Sequence, residues 1–546
     1  MLAGQMMNTQ LTLTSIMEFA EKVYSDSEIV SVTRDNPLHR YTYAEAFRRV
    51  RKLANALSSV GLRSGDRVAT LAWTDYRHFE LYYGVSCSEA VCHTINPSLL
   101  PEQIIYILNH AEDKLLFTDV MFLPLLDKIQ GHLPHVEKYI VLTDEANLPK
   151  SDLKGVQSYE SFIQEQSDQF VWPEIDENTA SSLCYTSGTT GEPKGVLYSH
   201  RSTVLHAYAC ALPDSMNLSV KDVVLPIVPM FHVNAWTIPY SGIMTGSKLV
   251  LPGPKLSDPE TLFNLIENEG ITVAAGVPTV WLALLSYLRE NKLTLTKLKL
   301  AVVGGAACPL SIIDEFMESH GVEVRHAWGM TETSPLGTSN TLKRGMSDLP
   351  KGELDLIKVK QGRAVYGVEL KICDAEGNKQ SWDGVTMGEL KVRGPWICDG
   401  YYKQDNSDVH DEDGWLSTGD VGCIDSKGYL LITDRIKDVI KSGGEWISSI
   451  KLENIAVGHP AVVEAAVIGI ADPKWGERPL LLVVKKEGKT LEKNEILACF
   501  EGQVPKWWIP EDVVFVEDLA HTATGKLNKK EIRKQFNDYS FSNAGK

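Results

Sequence analysis

Residues 185–195 read YTSGTTGEPKG, and this stretch is the most informative one in the chain for predicting its fold. It places four Ser or Thr hydroxyls, three glycines and one lysine within eleven positions. Backbone N–H groups and hydroxyls in such a loop can surround phosphate oxygens, because glycine lets the backbone approach them closely. The glycine spacing is not that of a Walker A loop, and no G-x-G-x-x-G occurs in the chain. The loop therefore predicts a polyphosphate ligand that is bound by a different motif.

On both sides of this loop, helical and strand patterns alternate, as is typical of doubly wound α/β layers. Before the loop, the patterns predict helices over 43–60, 76–86 and 101–110 and strands over 67–73, 90–95 and 114–118. After the loop, strand patterns appear in VVLPIVPM, SKLVLP, ITVAAGVP and LKLAVVGG, and a helix is predicted over 259–269. From about residue 362 the texture changes to short strands bounded by Gly, Asp or Asn, which predicts a small β subdomain.

The composition excludes several classes of protein. Hydrophobic residues make up 43% and charged residues 23% of the 546 positions, which excludes wholesale disorder and fibrous repeats. With 54 Lys and Arg against 71 Asp and Glu, the formal net charge is −17, which opposes binding to nucleic acid or to an anionic membrane surface. The nine cysteines include no C-x-x-C pair, so we expect neither a disulfide framework nor the usual zinc site.

The location of the protein is also predicted from what the sequence lacks. No apolar run approaches the roughly 20 residues that span a bilayer. The N-terminal residues lack the basic region of a signal peptide, and the last residues carry no lipidation signal. We therefore expect a protein of the reducing cytoplasm, without a nucleic-acid partner or a membrane span.

Six further motifs follow the loop: PMFHVNAW around His232, GGA at 304–306, WGMTE at 328–332, STGD at 417–420, DRIKD at 434–438 and TGK at 524–526. Together with the loop, they resemble the motif series of the adenylate-forming superfamily, which includes acyl-CoA synthetases, beetle luciferases and the adenylation domains of peptide synthetases. The resemblance covers nearly the whole chain. It implies an enzyme that joins a carboxylate to the α-phosphoryl group of ATP, releases pyrophosphate, and then passes the acyl group from AMP to a thiol.

The resemblance and the patterns together imply a fold of the α/β class. We expect a large N-terminal domain, residues 1–436, of two doubly wound α/β subdomains and a small β-barrel-like subdomain. A small mobile α+β C-terminal domain, residues 437–546, is expected to follow. The resemblance places a hinge between them at Lys437, about which the C-terminal domain turns between the two half-reactions.

The resemblance also assigns catalytic residues. Both partners of the first step are anions, so catalysis requires positive charge and positioning. Lys526 is expected to lie between the carboxylate and the α-phosphate, and catalytic roles are also assigned to His232 and Lys437. Mg²⁺ is expected to accompany ATP, with Glu332 and the Thr186 hydroxyl as its protein ligands.

The expected ATP-binding residues extend over both domains. Asp420 can accept both ribose hydroxyls, and Arg435 is expected to add a ribose or phosphate contact. The stretches 305–307 and 328–329 match those that enclose adenine in the family. The whole expected set is Thr186, Ser187, Gly188, Thr189, Thr190, Lys194, Gly305, Ala306, Ala307, Ala327, Trp328, Gly329, Met330, Thr331, Asp420, Ile432, Arg435 and Lys441.

The expected acyl pocket points to a small aliphatic acid. Amino-acid adenylating domains carry an aspartate where this chain has His232, so the ammonium of an amino acid would lack its counter-ion. The expected pocket residues are His232, Val233, Trp236, Gly304 and Trp328. Two indoles in one tunnel would shorten it and favour short or medium-chain acids, whereas in the alternative interpretation both belong to the core.

The KSGGEWIS stretch, residues 441–448, resembles the pantetheine-side motif of free-standing acyl-CoA synthetases. Its two glycines would let the backbone approach a thin pantetheine arm. CoA is therefore the expected thiol, and its expected binding residues are Ser442, Gly443, Gly444, Glu445, Trp446 and Glu477. The resemblance further implies a homodimer.

The whole pattern is most like medium-chain fatty acyl-CoA synthetases and 3-(methylthio)propionate-CoA ligases, and the sequence does not separate the two. A luciferase-like oxidoreductase, or a ligase for aryl or other acids, would use the same adenylation step and stays an alternative. A third possibility is a relative that kept the fold and has no catalytic activity. The presence of Thr186, Glu332, Asp420, Arg435 and Lys526 argues against it.

Overall fold

The computed structural model describes residues 2–35, 37–186, 192–406, 409–443, 445–521 and 527–541. The chain forms two compact units. The larger unit comprises Met1–Glu369 and Arg393–Leu416, and the smaller unit comprises Leu370–Val392 and Ser417–Lys546. The expected domain boundary at 436/437 differs from the bounds of these compact units, and it stays a prediction.

A seven-stranded sheet forms one layer of the larger unit. One of its inner strands, Val91–Thr94, is buried along its whole length and runs parallel to both neighbours. The pair at one edge is antiparallel, and the chain between its two strands contains the predicted phosphate-binding loop, residues 186–194, which we call the phosphate loop. The strands lie in the order Gln157–Ser158, Lys138–Val141, Leu115–Thr118, Arg67–Leu71, Val91–Thr94, Ala180–Tyr185 and Gly195–Ser199.

A nine-stranded sheet forms the second layer of this unit. Its centre is parallel, as the alternating patterns predict, but one edge comes from the N-terminal segment: Glu28–Ser31 pairs with Lys248–Leu251, with Ile29 opposite Leu249. The strands lie in the order Arg363–Ala364, Leu336–Ser339, Glu323–Gly329, Leu300–Val303, Val273–Gly276, Val223–Pro226, Lys248–Leu251, Glu28–Ser31 and His39–Thr42.

Local signals explain where the helices of the larger unit begin and end. Tyr43–Ser59 begins with a capping box between Thr42 and Glu45. Pro259–Glu269 begins after the capping side chain of Asp258 and ends at Gly270, whose φ is 72°. The other helices are Leu13–Val23, Tyr76–Ser86, Pro101–Ala111, Leu123–Ile129, Tyr159–Gln164, His200–Ala211, Ile238–Thr245, Pro278–Asn291, Leu310–His320 and Lys351–Lys358.

The smaller unit contains two sheets. The first has the strand order Glu369–Cys373, Gly388–Arg393, Leu416–Ile424 and Leu430–Arg435. The second contains Glu445–Ile447, Ile440–Ser442, Gly476–Lys485, Val462–Asp472 and Asp512–Val516. Its helices are Ser449–Val457, Lys493–Ala498 and Lys529–Gln535. The predicted α/β class, with two α/β subdomains followed by a smaller α+β region, is confirmed.

All nine cysteines are free thiols, and seven of them are buried. Within the described ranges, no helix has both the length and the apolar character that crossing a bilayer requires.

A buried charge cluster joins three elements of the smaller unit. The Lys529 ammonium lies 2.7 Å from Glu453 Oε1 and donates to the Ser449 hydroxyl at 2.5 Å. Ser449 in turn donates its N–H and its hydroxyl to Asp434, at 2.5 and 2.6 Å. Burial raises the pKa of Glu453 to about 7, against the opposing effect of Lys529, and it also raises the pKa of Asp434.

We expect this cluster to make the free energy of unfolding fall as the pH rises from about 5 to about 8. In the folded protein the pKa of Glu453 is about 7, whereas the ordinary value is 4.5. The stabilisation is therefore fully present below the ordinary value and is lost as the pH rises through the folded one. Glu453→Gln removes the titrating group and keeps the size of the side chain. Between about pH 5 and about pH 8, the free energy of unfolding of the variant should therefore fall less than that of the wild type, by on the order of 1–3 kcal/mol.

Urea unfolding of the full chain at the two pH values measures this difference. Glu487→Gln is the matched control, because Glu487 is an exposed glutamate of the same unit. Parallel pH profiles for the wild type and Glu453→Gln would contradict the role of the cluster.

Candidate active site

The phosphate loop is closed at its base by two hydrogen bonds. Thr186 donates its N–H to the Lys194 carbonyl at 2.8 Å, and the Lys194 N–H donates to the Thr186 hydroxyl at 3.4 Å. Tyr185 pairs with Gly195 in the flanking strands. The structure therefore fixes both ends of the loop, whereas Ser187, Gly188, Thr189 and Thr190 lie outside the described residues.

Glu332, the expected Mg²⁺ ligand, is held from two sides. It is only 7% exposed, its carbonyl accepts the Cys398 N–H at 2.8 Å, and its carboxylate accepts the Tyr401 hydroxyl at 2.8 Å. Thr331 before it is fixed by the hydroxyl of Tyr198, which donates to its carbonyl at 2.7 Å. Burial and the nearby Glu332 charge raise the pKa of Tyr401, so its hydroxyl stays protonated and can donate.

A chain of contacts joins Glu332 to the phosphate loop. Tyr401, which donates to Glu332, also has the Lys194 ammonium 4.6 Å from its ring centre, and Lys194 is bonded to Thr186. The two oxygen ligands expected for Mg²⁺ thus belong to one connected group of residues. In the part of the chain that the structure describes, no three His, Cys, Asp or Glu side chains gather as metal ligands. These residues therefore fit a cation that shares its coordination sphere with phosphate oxygens and waters.

The two stretches expected at adenine lie at the ends of neighbouring parallel strands. Gly305 follows Leu300–Val303 and has a φ of 82°, and the next residues, Ala306 and Ala307, are exposed or half-buried. Ala327, Trp328 and Gly329 end the strand Glu323–Gly329. Gly329 has no room for a Cβ because the Pro335 carbonyl lies against it, and Met330 donates its N–H to the Thr333 hydroxyl at 2.9 Å. Small residues and a tight turn thus lie beside a buried indole, at the end of a strand that pairs with Leu336–Ser339.

The expected acyl-pocket residues are set by a left-handed turn that follows His232. Five consecutive residues without glycine have a positive φ, namely Val233, Asn234, Ala235, Trp236 and Thr237, at 46°, 52°, 48°, 53° and 65°. Side chains in this conformation cost about 1–2 kcal/mol each. The turn is held by Asn234, which donates to the Ser182 hydroxyl at 3.0 Å, and by Thr237, which donates to the Ser334 carbonyl at 3.2 Å.

The turn places the Trp236 indole against Gly304. A Cβ on Gly304 would lie 2.9 Å from Cη2 of Trp236, so only glycine leaves the indole its place. Trp328 packs in the same way against Gly337, where a Cβ would overlap the ring. The structure therefore brings Trp236 and Gly304 together as expected, and Trp328, which is 8% exposed, is more deeply buried than Trp236.

The smaller unit carries the other expected ATP residues. Arg435 Nε lies 3.1 Å from Asp420 Oδ1, and the two residues are opposite each other in neighbouring antiparallel strands. Ile432 pairs with Gly422 in the same ladder, and Lys437 is exposed in the turn that follows. The structure brings Asp420 and Arg435 into contact, and their role at the ribose stays a prediction.

The expected CoA residues in the smaller unit lie on neighbouring strands, where Ser442 pairs with Glu445 on one side and with Gly476, the residue before Glu477, on the other. The Lys441 N–H donates to the Glu477 carboxylate at 2.9 Å, and the Arg478 guanidinium donates to the Ser442 hydroxyl at 3.2 Å. Gly443 has a φ of 61°, donates its N–H to the Trp475 carbonyl at 2.7 Å and lies under the Trp475 ring. Trp446 is half-buried in the paired strand. Gly444, the side chain of Glu445, and Lys526 lie outside the described residues.

Three residues near the expected site were not predicted from the sequence. Tyr401 bridges Lys194 and Glu332, Tyr198 fixes Thr331, and Asn234 locks the left-handed turn. Only Asn234 had a usable signal, because asparagine tolerates the left-handed conformation better than other side chains. The two tyrosines lie in no motif and become visible only through their contacts.

The chain resembles known proteins over nearly its whole length. Residues 19–402 match the family described as AMP-binding enzyme, and residues 451–526 match the AMP-binding enzyme C-terminal domain. The chain is 49% identical to a 3-methylmercaptopropionyl-CoA ligase of Ruegeria pomeroyi, over 98% of this chain and 99% of the relative. It is also 49% identical to a medium-chain-fatty-acid–CoA ligase of Ectopseudomonas oleovorans, over 98% of each chain.

A solved structure of an anthranilate CoA ligase in complex with anthranoyl-AMP superposes with a TM-score of 0.85. It is 25% identical and covers 96% of this chain and 97% of its own. With both family matches in sequence order and relatives aligned over nearly the full length, the chain belongs to the family of AMP-binding enzymes, as the motif series predicts.

Proposed function

We propose that this enzyme activates a short or medium-chain aliphatic acid, either a fatty acid or 3-(methylthio)propionate. It is an AMP-forming acid–thiol ligase, which converts the acid with ATP to acyl-AMP and then forms acyl-CoA. Both of the relatives named above act on acids of this size class, as their names state. The observation that carries the choice of substrate is the Trp236 indole held against Gly304, because it would close a longer tunnel at that point.

The proposed first step uses residues of the phosphate loop and its surroundings. The substrate carboxylate attacks the α-phosphorus of ATP, pyrophosphate leaves, and Lys526 and Lys194 offset the negative charge that both reactants bring. Mg²⁺, held by Glu332 and Thr186 together with the phosphates, would neutralise the pyrophosphate leaving group. Tyr401 keeps the Glu332 carboxylate in place by its hydrogen bond.

In the proposed second step the CoA thiolate attacks the acyl carbonyl and AMP leaves. The Gly443 backbone and the neighbouring Glu477 would lie along the pantetheine arm, and His232 would orient the acyl group. The motion of residues 437–546 about Lys437 would exchange the groups needed for the two steps. Asp420 and Arg435 would hold the ribose in both.

Thioester formation by the purified protein tests this proposal. The assay contains ATP, Mg²⁺ and CoA, with straight-chain acids of about two to about sixteen carbons and 3-(methylthio)propionate beside them. We expect the highest kcat/KM at about four to eight carbons or with the thioether acid. A maximum at long chains would refute the substrate class, and release of AMP and pyrophosphate without thioester would refute CoA as acceptor.

Trp236→Ala is expected to move the preference toward longer acids. Removing the indole should open the space that it fills. For an acid a few carbons longer than the one that the wild type prefers, we expect kcat/KM to rise by about tenfold over the wild-type value for that acid, because each buried methylene contributes to binding. Trp236→Phe should show a chain-length preference between those of the wild type and Trp236→Ala. Trp382→Ala, at an exposed tryptophan of the smaller unit, is the control and should leave the profile unchanged. An unchanged profile in Trp236→Ala would place this indole in the core instead.

We further propose that the enzyme works in the cytoplasm as a homodimer and requires Mg²⁺. Light scattering of the purified protein tests the dimer, cell fractionation tests the location, and titration of Mg²⁺ after chelation tests the metal. Activity without a divalent cation would remove Glu332 and Thr186 from their proposed role.

A further inference from the structure

A buried histidine–aspartate pair contacts Tyr185, which precedes the phosphate loop, and takes no part in the proposed chemistry. His93 is in the inner strand Val91–Thr94, and Asp113 lies between the helix Pro101–Ala111 and the strand Leu115–Thr118. Both side chains are completely buried, and His93 Nδ1 lies 2.7 Å from Asp113 Oδ2. Such a pair in the middle of a hydrophobic layer requires an explanation.

Stability alone does not explain the pair. His93 Nε2 and Asp113 Oδ1 are buried and have no hydrogen-bond partner among the described residues. Burial also raises the pKa of Asp113, which shows that its charge is held at a cost. Two apolar side chains of similar size would fill the same space without these penalties, so the pair is a weak source of stability.

The pair does contact the residue that leads into the phosphate loop. The His93 ring centre lies 5.1 Å from that of Tyr185, the last residue of its strand. The Tyr185 hydroxyl lies 2.7 Å from His110 Nδ1. The Tyr185 side chain therefore contacts two imidazoles, and the next residue is Thr186, which closes the loop with Lys194.

We propose that His93 and Asp113 form a positioning pair for the phosphate loop, which acts through Tyr185. Asp113 fixes the orientation of the His93 ring, the ring fixes the plane of Tyr185, and Tyr185 sets the direction in which Thr186 leaves the strand. This inference rests on the proposed function of the loop in binding ATP. Neither His93 nor Asp113 touches a substrate in this arrangement.

The test is a double variant, His93→Leu with Asp113→Leu, which replaces the pair by apolar side chains. We expect the KM for ATP in pyrophosphate exchange to rise by about tenfold, with the KM values for acid and CoA within about twofold of the wild type. The thermal midpoint should stay at or above that of the wild type. A purely structural pair would instead change the midpoint and leave the KM for ATP unchanged, and that result would overturn the proposal.

Two further variants separate the possible failures. Cys92→Ala, at the neighbouring buried position of the same strand, controls for general loosening of the sheet and should leave the KM for ATP unchanged. Lys194→Ala tests the loop itself: if it does not affect the KM for ATP, the proposed role of the loop fails. If Lys194→Ala raises that KM and the double variant does not, only the positioning role fails. Should the double variant not fold, Asp113→Asn, which keeps the size of the side chain but replaces the carboxylate that faces His93, is expected to show the same selective rise in the KM for ATP, and its absence would count against the proposal.

Discussion

Replacing Glu332 by glutamine is expected to slow acyl-adenylate formation by about 10²–10³-fold. Glutamine has the shape of glutamate and can still accept the Tyr401 hydroxyl bond, so the substitution removes chiefly one negative charge. If that charge binds Mg²⁺ at the ATP phosphates, the variant should also need a higher Mg²⁺ concentration for half-maximal rate. Pyrophosphate exchange at several Mg²⁺ concentrations measures both effects.

Tyr401→Phe is the matched control for this experiment. It removes the hydrogen bond and keeps both the ring near Lys194 and the Glu332 charge, so we expect a loss of about tenfold or less. A Glu332→Gln enzyme that kept its rate to within about threefold would refute the assignment of Glu332 as a metal ligand.

Lys526→Ala is expected to abolish the first half-reaction and to spare the second. An ammonium between two reacting anions stabilises the transition state of adenylation, and its removal should reduce that rate by about 10³-fold or more. Formation of acyl-CoA from preformed acyl-AMP does not bring two anions together in this way, and it should stay within a few-fold of the wild-type rate. The two rates are measured separately, by pyrophosphate exchange and by single-turnover thioester formation.

Lys530→Ala is the control, because Lys530 is an exposed lysine close to Lys526 in the sequence. It should leave both half-reactions unchanged. Loss of both half-reactions in Lys526→Ala, or preserved adenylation, would each refute the selective role.

Much of the fold could be predicted because its signals are local. The helix Pro259–Glu269 has the predicted bounds, since Asp258, Pro259 and Gly270 mark its ends within the sequence itself. The position of Glu28–Ser31 beside Lys248–Leu251 could not be predicted in this way. That pairing joins segments far apart in the chain, and its register depends on packing of the whole sheet.

For the candidate site, too, features carried by local motifs could be predicted, whereas contacts between distant segments could not. The family and the ligase class were predicted from motifs, and both are confirmed by the matches over nearly the whole chain. The residue roles stay predictions, although the structure brings Trp236 to Gly304 and Asp420 to Arg435. Tyr401 shows what motifs miss: its position depends on a loop that returns to Glu332 from far along the chain.

The left-handed turn after His232 has a consequence for how this enzyme would respond to selection for heat resistance. Glycine at Ala235, where φ is 48°, would relieve about 1 kcal/mol of strain or more, less the chain entropy that glycine adds to the unfolded state. We therefore expect a selection for thermostable variants to yield glycine substitutions in this turn. The same change would release Trp236 from a single orientation and blur the discrimination between acids of different length. If Trp236 has its proposed role, thermal stability and substrate selectivity would therefore oppose each other within these five residues.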